Sequence, residues 1–472
     1  MPVDIDELFT EFGRQADLLP LADASVPRRI GARRVRNRAL VAATAAVLLV
    51  VAGLGAANWR RERHAEPVLP ADTVRGLNPI GTPLHIYGPA NKSMFAGIAA
   101  VGDRVYVASG SIDDTSEVIA VDGRTGRKIW SAGRMAGFET NGVIALPGVL
   151  LVAEGSALRI LDPDTGKKLW ATTDPPNGDV VVDERTLVRV NEAGLTEGFD
   201  LRTGKKLWSA VPAGEADRPK HSAGVIPGTA EPARNVRSIQ TSDGRLVQIT
   251  LGGRVLFRDM RTGDVSRSVA TTVRPKQLTG FAAYDGVAYI YDNTGYSDRP
   301  SRLLAVDAAT GATRVVYSLQ AGHLRSFFPC GTRQLCLSGD DNVRGDTLQS
   351  MDLASGQVGW SVAAPGPAFS GSARGWRVLV SGIGGTALYD LNGRVLFQAG
   401  ANGSGGWIDD QNLLVLVPIP DTGGYRLVAV AARDGRQTTI GTLPRTAGGC
   451  SWTSEFLACR DGVELKLWAF VR

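Results

Sequence analysis

Histidine is scarce in this chain: His64, His85, His221 and His323 are the four in 472 residues. No two of them stand at the helical or hairpin spacing of a metal-ligand pair. There is no Gly-x-Ser-x-Gly elbow and no phosphate-binding P-loop, so serine-hydrolase and P-loop nucleotide chemistry have no motif to rest on. Cysteine is limited to two close pairs, Cys330 with Cys336 and Cys450 with Cys459, and no two are adjacent. Helical periodicity is rare after residue 60. Neither sign of charge dominates, since 52 Lys and Arg face 47 Asp and Glu for a net charge of +5. No nucleic-acid recognition motif is present, so nucleic acid is not an expected partner.

Charge is also missing from one long run. Ala39 to Trp59 holds none in 21 residues, which as a helix spans roughly 30 Å, the thickness of a bilayer's hydrocarbon core. Arg28, Arg29, Arg33, Arg34, Arg36 and Arg38 precede it, while Arg60, Arg61 and Arg63 with Glu62 follow. The heavier basic flank stays in the cytoplasm. The expectation is an uncleaved signal-anchor: a cytoplasmic tail over 1–38, a transmembrane helix over 39–59, a Pro-containing linker over 60–82, and an extracytoplasmic domain over 83–472. In the tail, Ile5, Leu8, Phe9 and Phe12 fall on one helical face, which reads as a docking helix for a cytoplasmic partner, or else as a weak helix at the membrane surface or a disordered tail.

What fills the large domain is a repeated turn. Its glycines are Gly126, Gly166, Gly204, Gly263, Gly311, Gly356, Gly393 and Gly435, spaced 37 to 59 residues apart. Four short strands with tight turns need about 40 residues. Asp122, Asp162, Asp200, Asp259, Asp307 and Asp352 stand four before their glycines, where a carboxylate can accept from the turn's amides. The glycine supplies a positive φ. Four residues on stand Trp130, Trp170, Trp208 and Trp360, with Phe397 in the seventh copy, placed to wedge between neighbouring blades. Arg267, Val315 and Thr439 replace them in the fourth, fifth and eighth copies, where looser or different packing is expected.

Ala120-Val-Asp-Gly-Arg-Thr-Gly-Arg-Lys-Ile-Trp130 resembles the tryptophan-docking motif of the quinoprotein (PQQ-like) β-propeller repeat family, and the resemblance covers nearly all of 83–472. It implies an all-β propeller, read from its eight turns as eight-bladed, with nine blades the alternative. Three further strand-like stretches follow the eighth turn, and pairing of this C-terminal segment with Leu84-His-Ile-Tyr87 is expected to close the ring. The family includes PQQ-dependent dehydrogenases, whose cofactor lies beside a ring of adjacent cysteines and a calcium ion, and also non-catalytic propellers. With no Cys-Cys pair and no matching calcium or base motif, only structural residues carry over: Asp122, Gly126, Trp130, Asp162, Gly166, Trp170, Asp200, Gly204, Trp208, Asp352, Gly356 and Trp360. No catalytic, cofactor or metal site is assigned.

The two cysteine pairs sit in strand-turn-strand stretches and, in an oxidising compartment, are expected to form disulfides. Asp340, Asp341, Asn342 and Asp346 are open to two readings, a calcium loop or a solvated one. So is the long Pro- and Gly-containing segment 210–237, which reads as a functional or a disordered loop. Arg124, Arg127, Lys128, Lys167, Lys168, Arg202, Lys205 and Lys206 gather at the first three turns, as a rim for an anionic partner or as a solvated polar rim. The expected function is a membrane-anchored, non-enzymatic binding, scaffold or sensor module for an extracytoplasmic protein or envelope ligand; the alternative is a PQQ-dependent dehydrogenase of the cell envelope.

Overall fold

The structure is a computed structural model that describes residues 73–472 apart from 87–93, 112–115, 136–139, 155–156, 174–177, 228–238, 274, 276–279, 293–300, 320–322, 341–345, 365, 367 and 445–446. The expected tail, transmembrane helix and most of the linker lie outside the described residues. Among those residues no helix is long and apolar enough to cross a membrane. The chain divides into compact units of 1–71 and 72–472, and every described strand belongs to the second.

Those strands form antiparallel meanders of four. The first runs Met94–Val101, Arg104–Ser111, Ser116–Asp122 and Lys128–Met135. The second runs Thr140–Leu146, Val149–Glu154, Ala157–Leu161 and Lys168–Thr173, and the third Asp179–Val182, Thr186–Val190, Thr196–Asp200 and Lys206–Ala210. Meanders 4 to 8 begin at Pro219, Phe281, His323, Ala368 and Ser404. The ninth takes Ala447–Trp452, Phe456–Asp461 and Glu464–Val471 from the end of the chain and its outer strand, Gly76–Pro79, from the start.

Nine meanders among the described residues is one more than the eight blades expected. The reason is topological. Each of the first eight carries a turn between its third and fourth strands, and the turn glycines count those turns. In the ninth the fourth strand arrives from elsewhere in the chain, so there is no turn to count. Closure itself follows the expected pattern, with Leu84 opposite Leu465 and His85 opposite Glu464. Gly76–Pro79 adds to the same strand, so residues assigned to the linker belong to the folded domain.

Segment 210–237 also differs from expectation. Pro219–Ile226 is a strand, the first of meander 4. Its end pairs in parallel with meander 5 through Val225 and Ile226. Ile239–Thr241 pairs in parallel with the first strand of meander 3. The prolines bracket the strand rather than interrupt it, which is where a residue without an amide hydrogen does least harm.

The core explains the nearly continuous apolar runs of the middle strands. Alternate side chains of one strand serve different neighbours. Val105 and Val107 pack with Phe456, Ala458 and Leu467 of meander 9, whereas Tyr106 and Ala108 pack with Leu150 and Val152 of meander 2. Val149 and Leu151 in turn face Val180, Val182 and Leu187 of meander 3. A sheet covered on both faces has no polar side to encode. Each fully buried Val or Leu contributes about 1.5–3 kcal/mol.

Candidate functional site: the face that carries the repeated turns

All eight repeated turns lie at the same end of the strands. In the second, Asp162 Oδ1 accepts from the amides of Asp164 and Thr165 and from the Thr165 hydroxyl, all at 3.0 Å. Asp122 and Asp352 do the same in their turns. Hydrogen bonds from the hydroxyl and amide of Thr203 hold the Asp200 carboxyl below the usual range, and those from the amide and hydroxyl of Thr310 act likewise on Asp307. Gly166 and Gly204 both have φ of +70°.

The tryptophans are joints between meanders. Trp130 Nε1 donates to the Pro163 carbonyl at 3.0 Å, Trp170 to Leu201 at 2.8 Å and Trp208 to Met260 at 2.7 Å. Each acceptor directly follows the turn aspartate of the next meander. Each ring also covers the next turn glycine: a Cβ on Gly166 would fall 2.4 Å from Trp130, and one on Gly204 2.6 Å from Trp170. Trp360 covers Gly393 and stacks on Tyr389 at 5.9 Å, but its buried N–H finds no acceptor among the described residues. Gly356, with φ of +70°, meets no ring.

The fourth and fifth copies, which lack the tryptophan, are not loose. Arg267 donates from Nε to Ala308 at 2.5 Å and from Nη2 to Ala309 at 2.6 Å, reaching the same place in the next turn. Arg314, one residue before Val315, bonds to the carbonyl of Leu353. Arg377 donates to Ala432 at 2.8 Å and Arg433 at 2.7 Å. A guanidinium supplies the same directed N–H as an indole, with more donors. The register of Arg267 four after its glycine was the available signal; for Arg377, on a different strand, sequence offered none.

The basic residues at the first three turns are all exposed. Lys206 is tied to Glu197 at 2.7 Å, and Arg124 and Arg202 sit 3.5 Å from Glu455 and Asp162. Arg127, Lys128, Lys167, Lys168 and Lys205 make no ion pair among the described residues. Beside them an open cleft of about 310 Å³ is lined by Glu184, Arg185, Asp200, Arg202, Leu207 and Arg261, among others. The outer strands carry a second feature. Each pairs on one side only, and near the start of six of them sits an exposed apolar side chain: Ile129, Leu207, Val265, Val315, Val358 and Val395, at 39–49% exposure.

A family model described as outer membrane protein assembly factor BamB matches residues 43–317. The chain belongs to that family. Its repeat is the PQQ-like propeller repeat, in keeping with the joints described above. No curated protein sequence matches the chain. Among solved structures, BamB from Moraxella catarrhalis is 16% identical, with a TM-score of 0.41 over 84% of this chain and 98% of that one. Sqt1 from Saccharomyces cerevisiae is 10% identical, with a TM-score of 0.46 over 84% and 99%. The dihydro-heme d1 dehydrogenase NirN is 14% identical, with a TM-score of 0.46 over 81% of each.

Among the described residues the donor set does not fit a PQQ and calcium site of the dehydrogenase type. The cysteines are committed to two cross-strand disulfides, Cys330–Cys336 and Cys450–Cys459, six and nine residues apart. Cys450 lies directly opposite Cys459, while a register shift between Pro329 and Gly331 lets Cys330 reach Cys336. Among the described residues no three His, Cys, Asp or Glu side chains converge as metal ligands. Asp340 and Asp346, suspected of holding calcium, both face Arg325, at 3.5 and 3.2 Å; residues 341–345 between them lie outside the described residues.

Proposed function

We propose that this protein is a membrane-anchored binding scaffold without enzymatic activity, whose nine-bladed propeller stands outside the cytoplasm and holds a protein ligand along its outer edge. The observation that carries the reading is the row formed by Val265, Val315, Val358 and Val395, each 43–49% exposed on a strand with one unpaired edge. A free strand edge offers main-chain donors and acceptors to an added strand, and alternate side chains give the selectivity. The Trp and Arg joints keep neighbouring edges in fixed relation, as a scaffold requires. The anchor is the charge-free run Ala39 to Trp59.

A photo-crosslinker placed at Val315 or Val358 of the full chain in native membranes tests this. One discrete adduct at each, the Val315 adduct lost with Val358→Asp, and none at Ile383 in the turn between the second and third strands of meander 7, is the expected result; no adduct at either position sinks it. Alkaline carbonate reads the anchor separately, since an anchored chain stays in the pellet. Purified chain given PQQ and calcium is expected to oxidise neither alcohol nor glucose in a dye-linked assay, and turnover there overturns the non-enzymatic reading.

A further inference from the structure

We propose that the corner of the turn-bearing face built by meanders 1 to 3 is a lipid-docking edge, lying against a bilayer surface that carries anionic headgroups. The inference rests on the anchored reading above and names a second contact, on a different part of the ring from the protein-binding edge.

Three outer strands open on the same kind of triplet: Arg127-Lys128-Ile129, Lys167-Lys168-Leu169 and Lys205-Lys206-Leu207. The joints set the triplets side by side. Trp130, two residues after Lys128, covers Gly166, which directly precedes Lys167; Trp170, two after Lys168, covers Gly204, which directly precedes Lys205. The basic side chains are exposed, and five of the six make no ion pair among the described residues. Ile129 is 43% and Leu207 39% exposed, while Leu169 is half-buried. Cationic side chains held around partly exposed aliphatic ones suit an interface where headgroups take the charge and the acyl boundary takes the apolar groups.

The pattern is confined to this corner. After the turn glycine meanders 4, 6 and 7 have Asp264-Val265, Gln357-Val358 and Arg394-Val395, with the apolar residue one position nearer the glycine. The apolar residue persists there and the basic pair does not, so the ring has one cationic corner rather than a cationic circumference.

An acidic polypeptide would satisfy the same charges. The bilayer is favoured by where the chain enters the ring. The Val74 amide lies 3.5 Å from Asn412 Oδ1, the Arg75 amide donates to Val471, and Gly76 pairs with Val471. These partners mark the turn-bearing end of meanders 8 and 9. The next residues, Ile80 and Gly81, pack against Thr125 and Gly126, the first turn of meander 1. Fourteen residues separate Trp59 from Val74, which fully extended reach about 50 Å. The tether thus leaves from the face that carries the triplets and is short enough to keep a bilayer near it.

The test uses the full chain with Leu207→Cys, labelled with an environment-sensitive dye. The native cysteines are all in disulfides, so the new thiol is the one labelled. The chain is placed in lipid discs of phosphatidylcholine alone or with phosphatidylglycerol. A shift of the dye to an apolar environment is expected only with phosphatidylglycerol. It is reversed by about 0.5 M salt, where the screening length falls to roughly 4 Å, and abolished by Lys167→Glu, Lys168→Glu and Lys205→Glu together. The same dye at Ile383 is expected to be silent throughout. A Leu207 probe that ignores anionic lipid but responds to polyglutamate assigns the corner to an acidic polypeptide, and one that ignores both leaves a solvated rim; either result overturns the proposal. Release of the chain from the discs by carbonate counts against the anchor alone, and the same probe with preformed phosphatidylglycerol vesicles then reads the edge by itself.

Discussion

Arg267 makes with Ala308 the bond that Trp170 makes with Leu201: a side-chain N–H, at 2.5 Å in one case and 2.8 Å in the other, donated to the carbonyl directly after the next meander's turn aspartate. The two side chains share no shape. They share a directed donor and the reach to place it. Trp170→Ala removes a half-buried ring and the bond, at a cost of about 2–4 kcal/mol. Arg267→Ala is expected to cost about 1–3 kcal/mol. Arg267→Lys should restore little, because an ammonium cannot serve two carbonyls in a fixed fork. Urea unfolding followed by circular dichroism ranks the three, and an Arg267→Ala protein as stable as the parent removes the joint assigned to it.

Gly204→Ala should be worse than an ordinary Gly-to-Ala change. The residue has φ of +70°, and the new Cβ would fall 2.6 Å from Trp170. Strain and clash act together, for a loss of more than about 1 kcal/mol. Gly133→Ala, with φ of +76° and nothing within 4 Å, carries the strain without the clash. The difference between their unfolding midpoints isolates the ring contact.

Closure predicts that a chain starting at residue 72 is more stable than one starting at 83. The longer form keeps Gly76–Pro79 on Trp468–Val471, and Leu77 against the core that contains Leu443 and Leu457. The shorter one exposes the edge of Trp468–Val471. A lower melting temperature and earlier protease cleavage within 464–472 are the expected signs, and equal melting temperatures would put 76–79 outside the fold.

Cys450→Ala with Cys459→Ala is expected to cost roughly 2–3 kcal/mol, the chain-entropy value for so short a ring. The Cys330–Cys336 pair should resist reductant longer in the folded protein, because both its cysteines are fully buried while Cys450 is not. Mass-spectrometric counting of alkylated thiols over a reduction time course shows the order.

The turn aspartates give the stability a pH dependence of known sign. Hydrogen bonds from the Thr203 side chain and amide lower the folded-state value of Asp200; those from the amide and hydroxyl of Thr310 and of Ser355 do so for Asp307 and Asp352. A depressed carboxyl contributes stability that is present above its unfolded value, about 3.9, and lost as pH falls through the folded one. Stability should therefore fall as the pH drops below about 4. Replacing all three with Asn should lower stability at neutral pH and flatten the acid limb. An unchanged limb would place the acid sensitivity elsewhere.

The repeated turns were legible because they are local. An aspartate, a glycine of positive φ and a Thr or Ser hydroxyl close hydrogen bonds within five residues, so their pattern survives in one dimension. The disulfide pairs were legible for the same reason, each spanning one hairpin. Arg377, Arg314 and the strand Pro219–Ile226 were not. Arg377 reaches a carbonyl 55 residues away, and Pro219–Ile226 is a strand because meanders 4 and 5 supply its partners.

By itself the sequence determined the repeat, the all-β class, the turn chemistry and the charge-free run, since each depends on neighbours along the chain. The ninth meander, and with it the place where the chain enters, was decided only by the tertiary structure. Its fourth strand lies almost four hundred residues from its third, and main-chain hydrogen bonds between such distant segments leave no periodic mark in either. The gathering of three basic triplets into one corner has the same origin: the side chains are written in the sequence, but only the Trp joints bring them together.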